Sequence, residues 1–416
     1  MRILFLTDNF PPEVNAPANR TYEHCREWVK QGVEVTVITG VPNFPKGKVY
    51  PGYKNKLFQK EVVDGIIVIR VWTYITANKG FFRRLLDYMS FGLASFWAGL
   101  FVKTDIIIAT SPQFFTAVSG SVLAFFRRKK WVMEVRDLWP ESIVAVGAMK
   151  KNWLIRLFEK WEIALYRSAY HIIVVTDTFK TRISDRGISM DKISVFKNGV
   201  DLQLFTPGEK PADLLDKYDL KGKFIFGYIG THGMAHGLDF ILKCAIELQQ
   251  TQKDSFFLFL GDGAEKQNLI AQAEGLELKN VLFLDSKPKA EAIAHLKLVD
   301  VALVNLRKST TFQTVIPSKM FEAAALRKPI LLGLQGESQE LIENFGAGIS
   351  FLPEDRVDFL RKIKTLKENK EIYRACELGG ENLAKEFDRS IIAKKMLDTL
   401  MFLNRDTSSR KIRKGR

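Results

Sequence analysis

Short apolar runs alternate with helical patterns from the start of the chain. Residues 2–7 form an apolar run typical of a buried strand, residues 19–30 follow a helical period, and residues 33–39 form a second apolar run. A strand, a loop, a helix and a strand in this order predict the opening of a parallel, doubly wound α/β sheet. Residues 42–60 interrupt the pattern with Pro, Gly, Lys and aromatic residues, which predicts a loop. The remaining predicted strands of the first half are 64–72, 105–109, 131–135 and 170–176.

The same pattern restarts in the second half. An apolar run at 224–230 is followed by a glycine-bearing turn and a helical stretch at 238–250. Residues 206–222 mix Pro, Gly and charged residues, as a linker does. The pattern therefore predicts two doubly wound domains. The expected segments are a first domain at 1–205, the linker at 206–222, a second domain at 223–385, a helical segment at 386–403 and an irregular basic tail at 404–416.

Composition supports two globular domains. A chain of 416 residues can bury two cores, and its 46% hydrophobic and 26% charged residues are a globular balance. The three cysteines lack metal-ligand spacing, which indicates free thiols in a reducing compartment. The chain opens directly on a strand pattern, and its longest apolar stretch, 88–102, is too short and interrupted for a spanning helix. We expect a cytoplasmic protein.

The chain is strongly basic. Its 62 Lys and Arg residues against 47 Asp and Glu give a net charge of +15. Such an excess fits nucleic acid, anionic lipid or a phosphorylated acceptor, and charge alone does not choose among them.

Aromatic residues stand beside basic ones in two places. The helical run 81–102 and the stretch 125–131 both combine them, a composition that suits a membrane interface. The alternative is a buried core helix with a solvated basic end. The predicted membrane or acceptor surface comprises Phe81, Phe82, Arg83, Arg84, Trp97, Arg127, Arg128, Lys129 and Lys130.

The stretch 317–329 has the features of an anion-binding helix. Ser318 stands where an N-cap belongs, and Arg327-Lys328-Pro329 ends the helix. A helix start offers free N–H groups to a phosphate, and Lys319 adds a charge there. Glu322 shares that face and can accept hydrogen bonds from sugar hydroxyls. The combination fits a sugar nucleotide, although an ordinary capped helix beside a strand would look similar.

Two further loops follow predicted strands, where doubly wound sheets bind ligands. The turn after 224–230 contains Thr231, His232 and His236, whose hydroxyl and imidazole groups can contact phosphate, although both histidines also suit a structural role. The loop after 131–135 contains Arg136, Asp137 and Glu141, which suits either an active site or an ion pair that fixes the loop.

These motifs together resemble family 4 retaining glycosyltransferases, in the branch that builds bacterial surface polysaccharides, and are similar to N-acetyl-L-fucosamine transferases. The resemblance extends over residues 1 to about 400, and it implies the GT-B fold, with two Rossmann-like doubly wound domains facing across a cleft. It also implies that the helix at 386–403 crosses back to the first domain. The matching motifs are Pro-Ser-Lys-x-Phe-Glu-Ala at 317–323, Arg-Asp-Leu-Trp-Pro-Glu-Ser at 136–142, Asn-Gly-Val-Asp at 198–201 and Gly-Asp-Gly at 261–263.

The resemblance assigns roles to individual residues. Asp137 matches the polar catalytic role, Glu141 is the second candidate, and Arg136 is a phosphate-binding or orienting group. The chain departs from the family at Thr314, where many members carry a second Glu. The implied donor-binding residues are Asn15, Ala16, Gly230, Thr231, His232, Gly233, His236, Asp285, Ser286, Pro317, Ser318, Lys319 and Glu322.

The implied reaction moves an N-acetylated hexosamine or deoxyhexosamine from a UDP-sugar to a lipid-diphosphate-linked saccharide, with retention. No Asp-x-Asp triplet occurs in the sequence, so no metal is expected. The implied location is the inner face of the plasma membrane, with no nucleic-acid partner. Two alternatives stay open. A sugar-nucleotide epimerase of GT-B fold would not need the aromatic-basic helices, and a nonenzymatic binder of nucleic acid or anionic lipid would not need the phosphate-type loops.

Overall fold

A computed structural model of the protein describes residues 1–44, 47–76, 81–111, 113–145, 150 and 152–413. The side chains of Phe81, Ala145 and residues 406–413 also lie outside that description. The chain divides into two compact units. Unit 1 comprises Met1–Lys197 and Arg389–Arg416, and unit 2 comprises Asn198–Asp388.

Unit 1 contains a mainly parallel sheet with helices between its strands. Its strands are β1 (Arg2–Leu6), β2 (Glu34–Thr39), β3 (Phe58–Val63), β4 (Ile66–Val71), β5 (Ile106–Thr110), β6 (Lys130–Val135), β7 (His171–Val174) and β8 (Ile193–Val195). Its helices are α1 (Ala16–Lys30), α2 (Phe81–Gly99), α3 (Phe114–Arg127), α4 (Glu141–Ala145), α5 (Trp153–Ser168), α6 (Asp177–Asp185) and, from the chain end, α15 (Arg389–Arg413).

The strands of unit 1 lie in the order β3-β4-β2-β1-β5-β6-β7-β8, and only the β3–β4 pairing is antiparallel. That hairpin was not predicted. Asp64 and Gly65 both have positive φ and form its turn, so residues 58–60 belong to a strand rather than to the predicted loop, and Asp64 does not belong to a strand. An Asp-Gly pair between apolar residues is a hairpin signal that the sequence contained.

Unit 2 repeats the architecture. Its strands are β9 (Phe224–Ile229), β10 (Ser255–Leu260), β11 (Val281–Leu284), β12 (Val301–Asn305), β13 (Ile330–Gly333) and β14 (Gly348–Ser350). Its helices are α7 (Ala212–Lys217), α8 (Leu238–Thr251), α9 (Lys266–Gly275), α10 (Lys289–Leu298), α11 (Lys319–Ala325), α12 (Glu337–Phe345), α13 (Arg356–Glu368) and α14 (Lys370–Glu386).

The strands of unit 2 lie in the order β11-β10-β9-β12-β13-β14, and their pairings are parallel. Counted within the unit, this is the Rossmann order 3-2-1-4-5-6. Chain order reverses between β9 and β12, and doubly wound sheets bind ligands beyond the carboxyl ends of the strands at such a reversal. The topology therefore places a candidate site beside the loops that follow β9 and β12.

The chain end belongs to unit 1. The Trp28 indole N–H donates to the Ala393 carbonyl at 2.8 Å, and Arg389 pairs with Glu23, so α15 packs on α1. The predicted helix crossing back to the first domain begins at Arg389, after a break at residues 387–388, and continues to Arg413. The segment 404–413 is therefore helical rather than an irregular tail.

Two other boundaries differ from the sequence prediction. Helix α1 begins at Ala16 instead of residue 19, because the Asn15 side chain accepts the Ala18 N–H and caps the helix earlier. The first unit ends at Lys197, since the Val200 N–H donates to the Phe387 carbonyl within unit 2. Among the described residues, no helix is both long enough and apolar enough to cross a membrane.

Candidate functional site

Lys319, at the first position of α11, is the central feature of unit 2. Its ammonium nitrogen is buried and has no hydrogen-bond acceptor in the part of the chain that the structure describes. It lies 3.6 Å from the centre of the Tyr228 ring, on β9. Burial lowers the pKa of Lys319 to about 7, although Glu322 partly opposes the shift. A buried cation of this kind requires an anionic partner to hold its charge.

Three glycines bring backbone close to this lysine. Gly230 follows β9 with φ +141°, and a Cβ there would lie 3.0 Å from the Lys319 nitrogen. A Cβ on Gly261 would lie 1.8 Å from the Gly230 carbonyl oxygen, and one on Gly263 would lie 2.4 Å from the His232 oxygen. The loops after β9 and β10 can therefore pack this tightly only because these positions are glycines.

The two histidines predicted to contact phosphate are at least partly buried and are uncharged. His232 is fully buried, its ring lies about 6 Å from the rings of Tyr228 and Phe283, and burial lowers its pKa to about 4. Burial lowers the pKa of His236 to about 3. With these pKa values both imidazoles are neutral at pH 7, so the positive charge at this place comes from Lys266 and from the protonated fraction of Lys319.

Asn305 holds the glycine-bearing turn, and sequence reasoning missed it. At the end of β12, its side-chain amide donates to the carbonyls of His236 at 2.7 Å and Gly237 at 3.2 Å. The strand order puts β12 beside β9, so this contact joins the two loops at the reversal of the sheet. Thr231 is exposed, and its carbonyl accepts the Tyr228 hydroxyl.

The start of α11 has the predicted residues in a different capping geometry. Ser318 occupies the N-cap position, but its side chain makes no capping hydrogen bond and its backbone is helical. Glu322 lies one turn later, in the first turn of the helix. Thr314, at the family's second Glu position, is buried, and its hydroxyl donates to the Thr311 carbonyl at 2.7 Å.

A buried lysine fixes the loop after β11. Lys266 donates to the carbonyls of Gly261 and Leu284 and, at 2.6 Å, to Asp285. The Asp285 side chain is nevertheless 90% exposed, and Ser286 follows it. Asp285 thus stands at the surface of the same sheet edge as Lys319, held by a lysine that sequence reasoning did not single out.

The predicted catalytic loop of unit 1 divides into three different environments. Asp137 follows β6, accepts hydrogen bonds from Ser142 and the Leu138 N–H, and has its pKa raised by burial to about 6. Glu141 pairs with Arg182 at 2.5 Å and with Arg186 at 3.3 Å, which fixes α4 to α6. Glu141 therefore fits the alternative of an ion pair that fixes the loop better than Asp137 does.

Arg136 belongs to a buried group of charges. Its guanidinium donates to the Pro17 carbonyl, and burial lowers its pKa to about 10. Nearby, Arg20 and Glu134 form an ion pair of 3.0 Å whose side chains are at most 2% exposed. Arg136 thus orients the start of α1 by contact with Pro17, which the sequence did not indicate.

Three buried carboxyl groups of unit 1 were not among the individually predicted site residues, although two of them belong to the loop after β1, where doubly wound sheets bind ligands. Burial raises the pKa of Asp8 to about 6, of Glu13 to about 7 and of Asp87 to about 8. Asp8 accepts the Gln113 amide, and Glu13 accepts backbone N–H groups of residues 43 and 44. The order of the sheet reverses between β1 and β5, which places Asp8 and Gln113 at the ligand-binding edge of unit 1.

Some of the predicted membrane or acceptor residues are exposed to solvent, and Arg127 is instead hydrogen-bonded within the fold. Phe82 and Trp97 are 76% and 61% exposed, and Arg83 and Arg84 are also exposed. Arg127 instead donates to the carbonyls of residues 100 and 102 and closes the end of α2. The remaining basic residues, Arg128, Lys129 and Lys130, lie where α3 ends and β6 begins, and the side chain of Phe81 lies outside the described residues.

Asn15 and Ala16 lie at the start of α1, in unit 1. The side-chain oxygen of Asn15 accepts the Ala18 N–H and caps that helix. The side-chain amide of Asn15 donates to Asn9, so this side chain is engaged within the loop. Pro317 precedes the N-cap of α11. Gly233 begins the short turn that contains His236, and the His236 N–H donates to its carbonyl.

Two family models match the chain in succession. Residues 15–199 match the model for the Glycosyl transferase 4-like domain, and residues 213–382 match the model for Glycosyl transferases group 1. Each match falls almost entirely within one structural unit. Both models describe glycosyltransferases, which favours a transferase over the epimerase and the nonenzymatic binder.

Individual relatives agree with these matches. The chain is 24% identical over 410 residues to a putative colanic acid biosynthesis glycosyl transferase, WcaI, of Escherichia coli (strain K12), covering 94% of this chain and 100% of the relative. It is 26% identical to the probable glycosyltransferase WbjE of Pseudomonas aeruginosa, covering 64% of this chain and 67% of the relative. The crystal structure of Anabaena HepE in complex with UDP-glucose has a TM-score of 0.71 at 16% identity, covering 96% of this chain and 99% of HepE. The chain therefore belongs to the glycosyltransferases that join a 4-like domain to a group 1 domain, and its two Rossmann-like domains have the GT-B fold.

Proposed function

We propose that the protein transfers an N-acetylated hexosamine or deoxyhexosamine from a UDP-sugar to a lipid-diphosphate-linked saccharide, with retention, in the assembly of a surface polysaccharide. The observation that carries this proposal is the buried ammonium of Lys319, at the reversal of a Rossmann-type sheet, which has no hydrogen-bond acceptor among the described residues. The similarity to WcaI, a putative colanic acid biosynthesis transferase, and to TuaH of Bacillus subtilis, a putative teichuronic acid biosynthesis transferase, supports the polysaccharide assignment.

The donor diphosphate is the anion that would accept hydrogen bonds from the ammonium of Lys319 and neutralise its charge. A phosphate beside Gly230 would accept hydrogen bonds from the ammonium and from N–H groups of the glycine-bearing turn, because a Cβ is absent there. The neutral His232 and His236 add no charge to this site. The HepE complex with UDP-glucose supports UDP as the nucleotide.

Glu322 and the loop at Asp285 would bind the rest of the nucleotide. Glu322 lies one turn after Ser318, so its carboxylate can accept hydrogen bonds from the ribose hydroxyls while the helix start faces phosphate. Asp285 and Ser286 stand exposed after β11, where the base would bind. Pro317 and Thr231 would border the phosphates.

The proposed transfer breaks the bond between the sugar's anomeric carbon and the diphosphate oxygen and forms a bond from an acceptor hydroxyl to that carbon. The acceptor's proton passes to the departing phosphate, whose charge Lys319 stabilises. Asp137, whose buried carboxyl has a pKa of about 6, is the residue that we assign to assist at the acceptor. We assign Arg136 an orienting role and Glu141 a structural one.

An apolar stripe on α2 supports a membrane-bound acceptor. Phe82, Leu86, Met89, Leu93 and Trp97 are all 40% exposed or more, and their spacing of three or four residues puts them on one helix face. The opposite face packs on α3, where Gly92 lies within contact distance of Phe115. An exposed aromatic and apolar face of this length suits the membrane interface.

Basic residues border this stripe at both ends. Arg83 and Arg84 lie in the first turn of α2, and Lys103 follows its last turn; all three are exposed. Cations beside an apolar face favour an anionic membrane surface. We therefore propose that the protein binds peripherally to the inner face of the plasma membrane through α2.

The transferase proposal is tested by incubating the purified chain with a panel of UDP-sugars and lipid-diphosphate saccharides. The expected result is one labelled sugar moved to lipid, with the anomeric configuration of the donor retained by NMR. An isomerised nucleotide sugar without transfer would instead indicate an epimerase, and an inverted product would contradict retention.

A further inference from the structure

Unit 1 contains a cavity of about 810 Å³ that none of the proposed chemistry uses. Its lining residues stand just before or at the starts of four neighbouring strands: Asp105 before β5, Lys130 at the start of β6, Tyr170 before β7 and Lys192 before β8. The cavity thus lies at the amino-terminal edge of the sheet. Asp8 and Asp137 lie at the opposite, carboxyl-terminal edge, so the cavity is separate from the proposed acceptor site.

The charge of this cavity is strongly positive. Arg128, Lys129, Lys130 and Lys192 line it, against one carboxyl group, that of Asp105. Asp105 is already engaged by Arg2, accepting its backbone N–H at 2.8 Å and its guanidinium at 2.9 Å. Asp105 is therefore shared between Arg2 and Lys129, and the four cations of the lining remain in excess.

The lysines at the back of the cavity are held in place by carbonyl groups. Lys130 donates to the Leu403 carbonyl of α15 at 2.5 Å and lies 3.9 Å from the centre of the Tyr170 ring. Lys192 donates to the Arg167 carbonyl at 2.8 Å, and its burial lowers its pKa. Each ammonium retains further donors for a ligand, since each carries three N–H groups.

Arg128 and Lys129 form the freer part of the lining. Among the described residues neither side chain has a hydrogen bond or an ion pair, although the charge of Lys129 helps to lower the pKa of Asp105. Arg128 has φ +51° and ends α3, which turns the chain into β6 at the cavity. Two cations without such bonds, beside two that are fixed, suit an anion with several acceptor oxygens, such as a phosphate group.

Exposed aromatic side chains distinguish a lipid phosphate from a free one. Phe125 and Phe126 precede Arg128 by two or three residues and are 79% and 64% exposed. Phe402 precedes the lining residue Asn404 and is 72% exposed. A site for a soluble phosphate has no use for such residues, whereas a lipid headgroup is accompanied by acyl chains that they can contact.

We propose that this cavity binds the phosphate headgroup of an anionic phospholipid while Phe125, Phe126 and Phe402 enter the membrane interface. The proposal rests on the membrane contact proposed for α2 and names a second, headgroup-binding point of that contact. Phe96 and Phe126, 5.8 Å apart between ring centres, connect α2 to the end of α3 that leads to the cavity.

The test measures partition of the full-length protein onto vesicles of phosphatidylcholine with or without phosphatidylglycerol. The variants are the double substitution Arg128→Gln/Lys129→Gln and the single substitution Lys192→Gln. A matched control removes two exposed lysines of unit 2, Lys253→Gln/Lys279→Gln, with the same change of charge. A second comparison, Arg83→Gln/Arg84→Gln, removes two basic residues of α2 outside the cavity. Thermal melts verify that each variant is folded.

The expected result is that Arg128→Gln/Lys129→Gln weakens binding to phosphatidylglycerol vesicles about 30-fold, since each basic residue near an anionic surface contributes about fivefold. Lys192→Gln should also weaken it, and the unit 2 control should not. Equal losses in the unit 2 control would overturn the proposal, as would a larger loss for Arg83→Gln/Arg84→Gln than for the cavity variants.

Inorganic phosphate distinguishes a site for free phosphate from a site for a phospholipid headgroup. If phosphate alone raises the melting temperature of the wild-type protein but not of Lys192→Gln, and the cavity substitutions leave vesicle binding unchanged, the site binds a soluble anion and the lipid proposal is wrong. UDP binding and transfer to a detergent-solubilised acceptor are measured on the same variants. Intact transfer with lost vesicle binding supports the cavity assignment, and a cavity variant that loses transfer but keeps vesicle binding overturns it. Wild-type protein that binds vesicles but transfers no sugar contradicts the proposed reaction alone.

Discussion

The ammonium nitrogen of Lys319 lies 3.6 Å from the centre of the Tyr228 ring and has no other acceptor among the described residues. A desolvated cation–π contact contributes about 2 kcal/mol, whereas burial of an ammonium costs several kcal/mol. The contact therefore cannot offset the burial by itself. The protein keeps an incompletely compensated charge at the carboxyl edge of its Rossmann-type sheet.

Replacing that charge by an apolar group of similar length should stabilise the free protein. We expect Lys319→Met to raise the free energy of unfolding by about 1–3 kcal/mol in the absence of nucleotide, because the desolvation cost disappears. Thermal or urea unfolding measures the change. Lys308→Met, at an exposed position of the same unit, is the matched control and should leave stability nearly unchanged. A destabilised Lys319→Met protein would mean that the lysine is already satisfied.

The same lysine should couple donor binding to pH. Its folded pKa is about 7, and an unfolded lysine titrates near about 10.4. Between these values the unfolded chain holds a proton that the folded chain lacks, so this group makes unfolding free energy rise with pH over that window. A bound diphosphate restores the charged form. UDP binding at about pH 8 should therefore take up close to one proton, measured by calorimetry in buffers of different ionisation enthalpy; equal apparent enthalpies in those buffers would contradict this.

Asp137 and Glu141 should respond differently to loss of their charge. Asp137→Asn should reduce kcat about 100-fold or more if the carboxyl assists at the acceptor, with UDP affinity and stability nearly unchanged. Glu141→Gln should instead lower the unfolding free energy by about 1–2 kcal/mol, because Arg182 and Arg186 lose their shared partner. Steady-state kinetics and urea unfolding of both variants provide the comparison. The opposite pattern would exchange the two roles.

The apolar stripe of α2 should be required at the membrane but not for nucleotide binding. Leu93→Gln/Trp97→Gln should weaken vesicle binding about tenfold or more, since each side chain loses its burial in the interface. Val357→Gln/Leu378→Gln changes two apolar residues of unit 2 that are at least as exposed and serves as control. Vesicle co-sedimentation gives the partition coefficients. Equal partition of all three proteins would remove α2 from the membrane contact.

The sequence predicted the two-domain architecture and most of the strands, because buried parallel strands are continuous apolar runs. It did not predict the short strands β8 and β14. It missed the β3–β4 hairpin, whose β3 alternates exposed and half-buried residues at the edge of the sheet and so lacks such a run. The crossing of the terminal helix back to the first domain came from the family resemblance, since the contacts of Trp28 and Glu23 that hold α15 there join residues more than 360 positions apart and leave no local pattern. The irregular tail predicted from residue 404 was wrong, because α15 continues to Arg413.

Sequence motifs singled out the candidate site, and the structure adds the packing around it. The motif at 317–323 identified Lys319 and Glu322, but Tyr228 is the ring beneath that lysine and looks like any core aromatic in the sequence. His232 was predicted as a phosphate contact, whereas its burial among aromatic rings is a tertiary property. Asn305, which holds the glycine-bearing turn, likewise ends an apolar strand without any local signal.

The most direct measurement of the central claim is calorimetric titration of UDP into the wild-type protein, Lys319→Met and Lys308→Met at neutral pH. The account predicts that wild type and Lys308→Met bind UDP alike. It predicts that Lys319→Met, although more stable when free, binds at least about tenfold more weakly, since a charge-assisted hydrogen bond contributes about 1.5–3 kcal/mol. Unchanged UDP affinity in Lys319→Met would contradict the assignment of this buried lysine to the donor diphosphate.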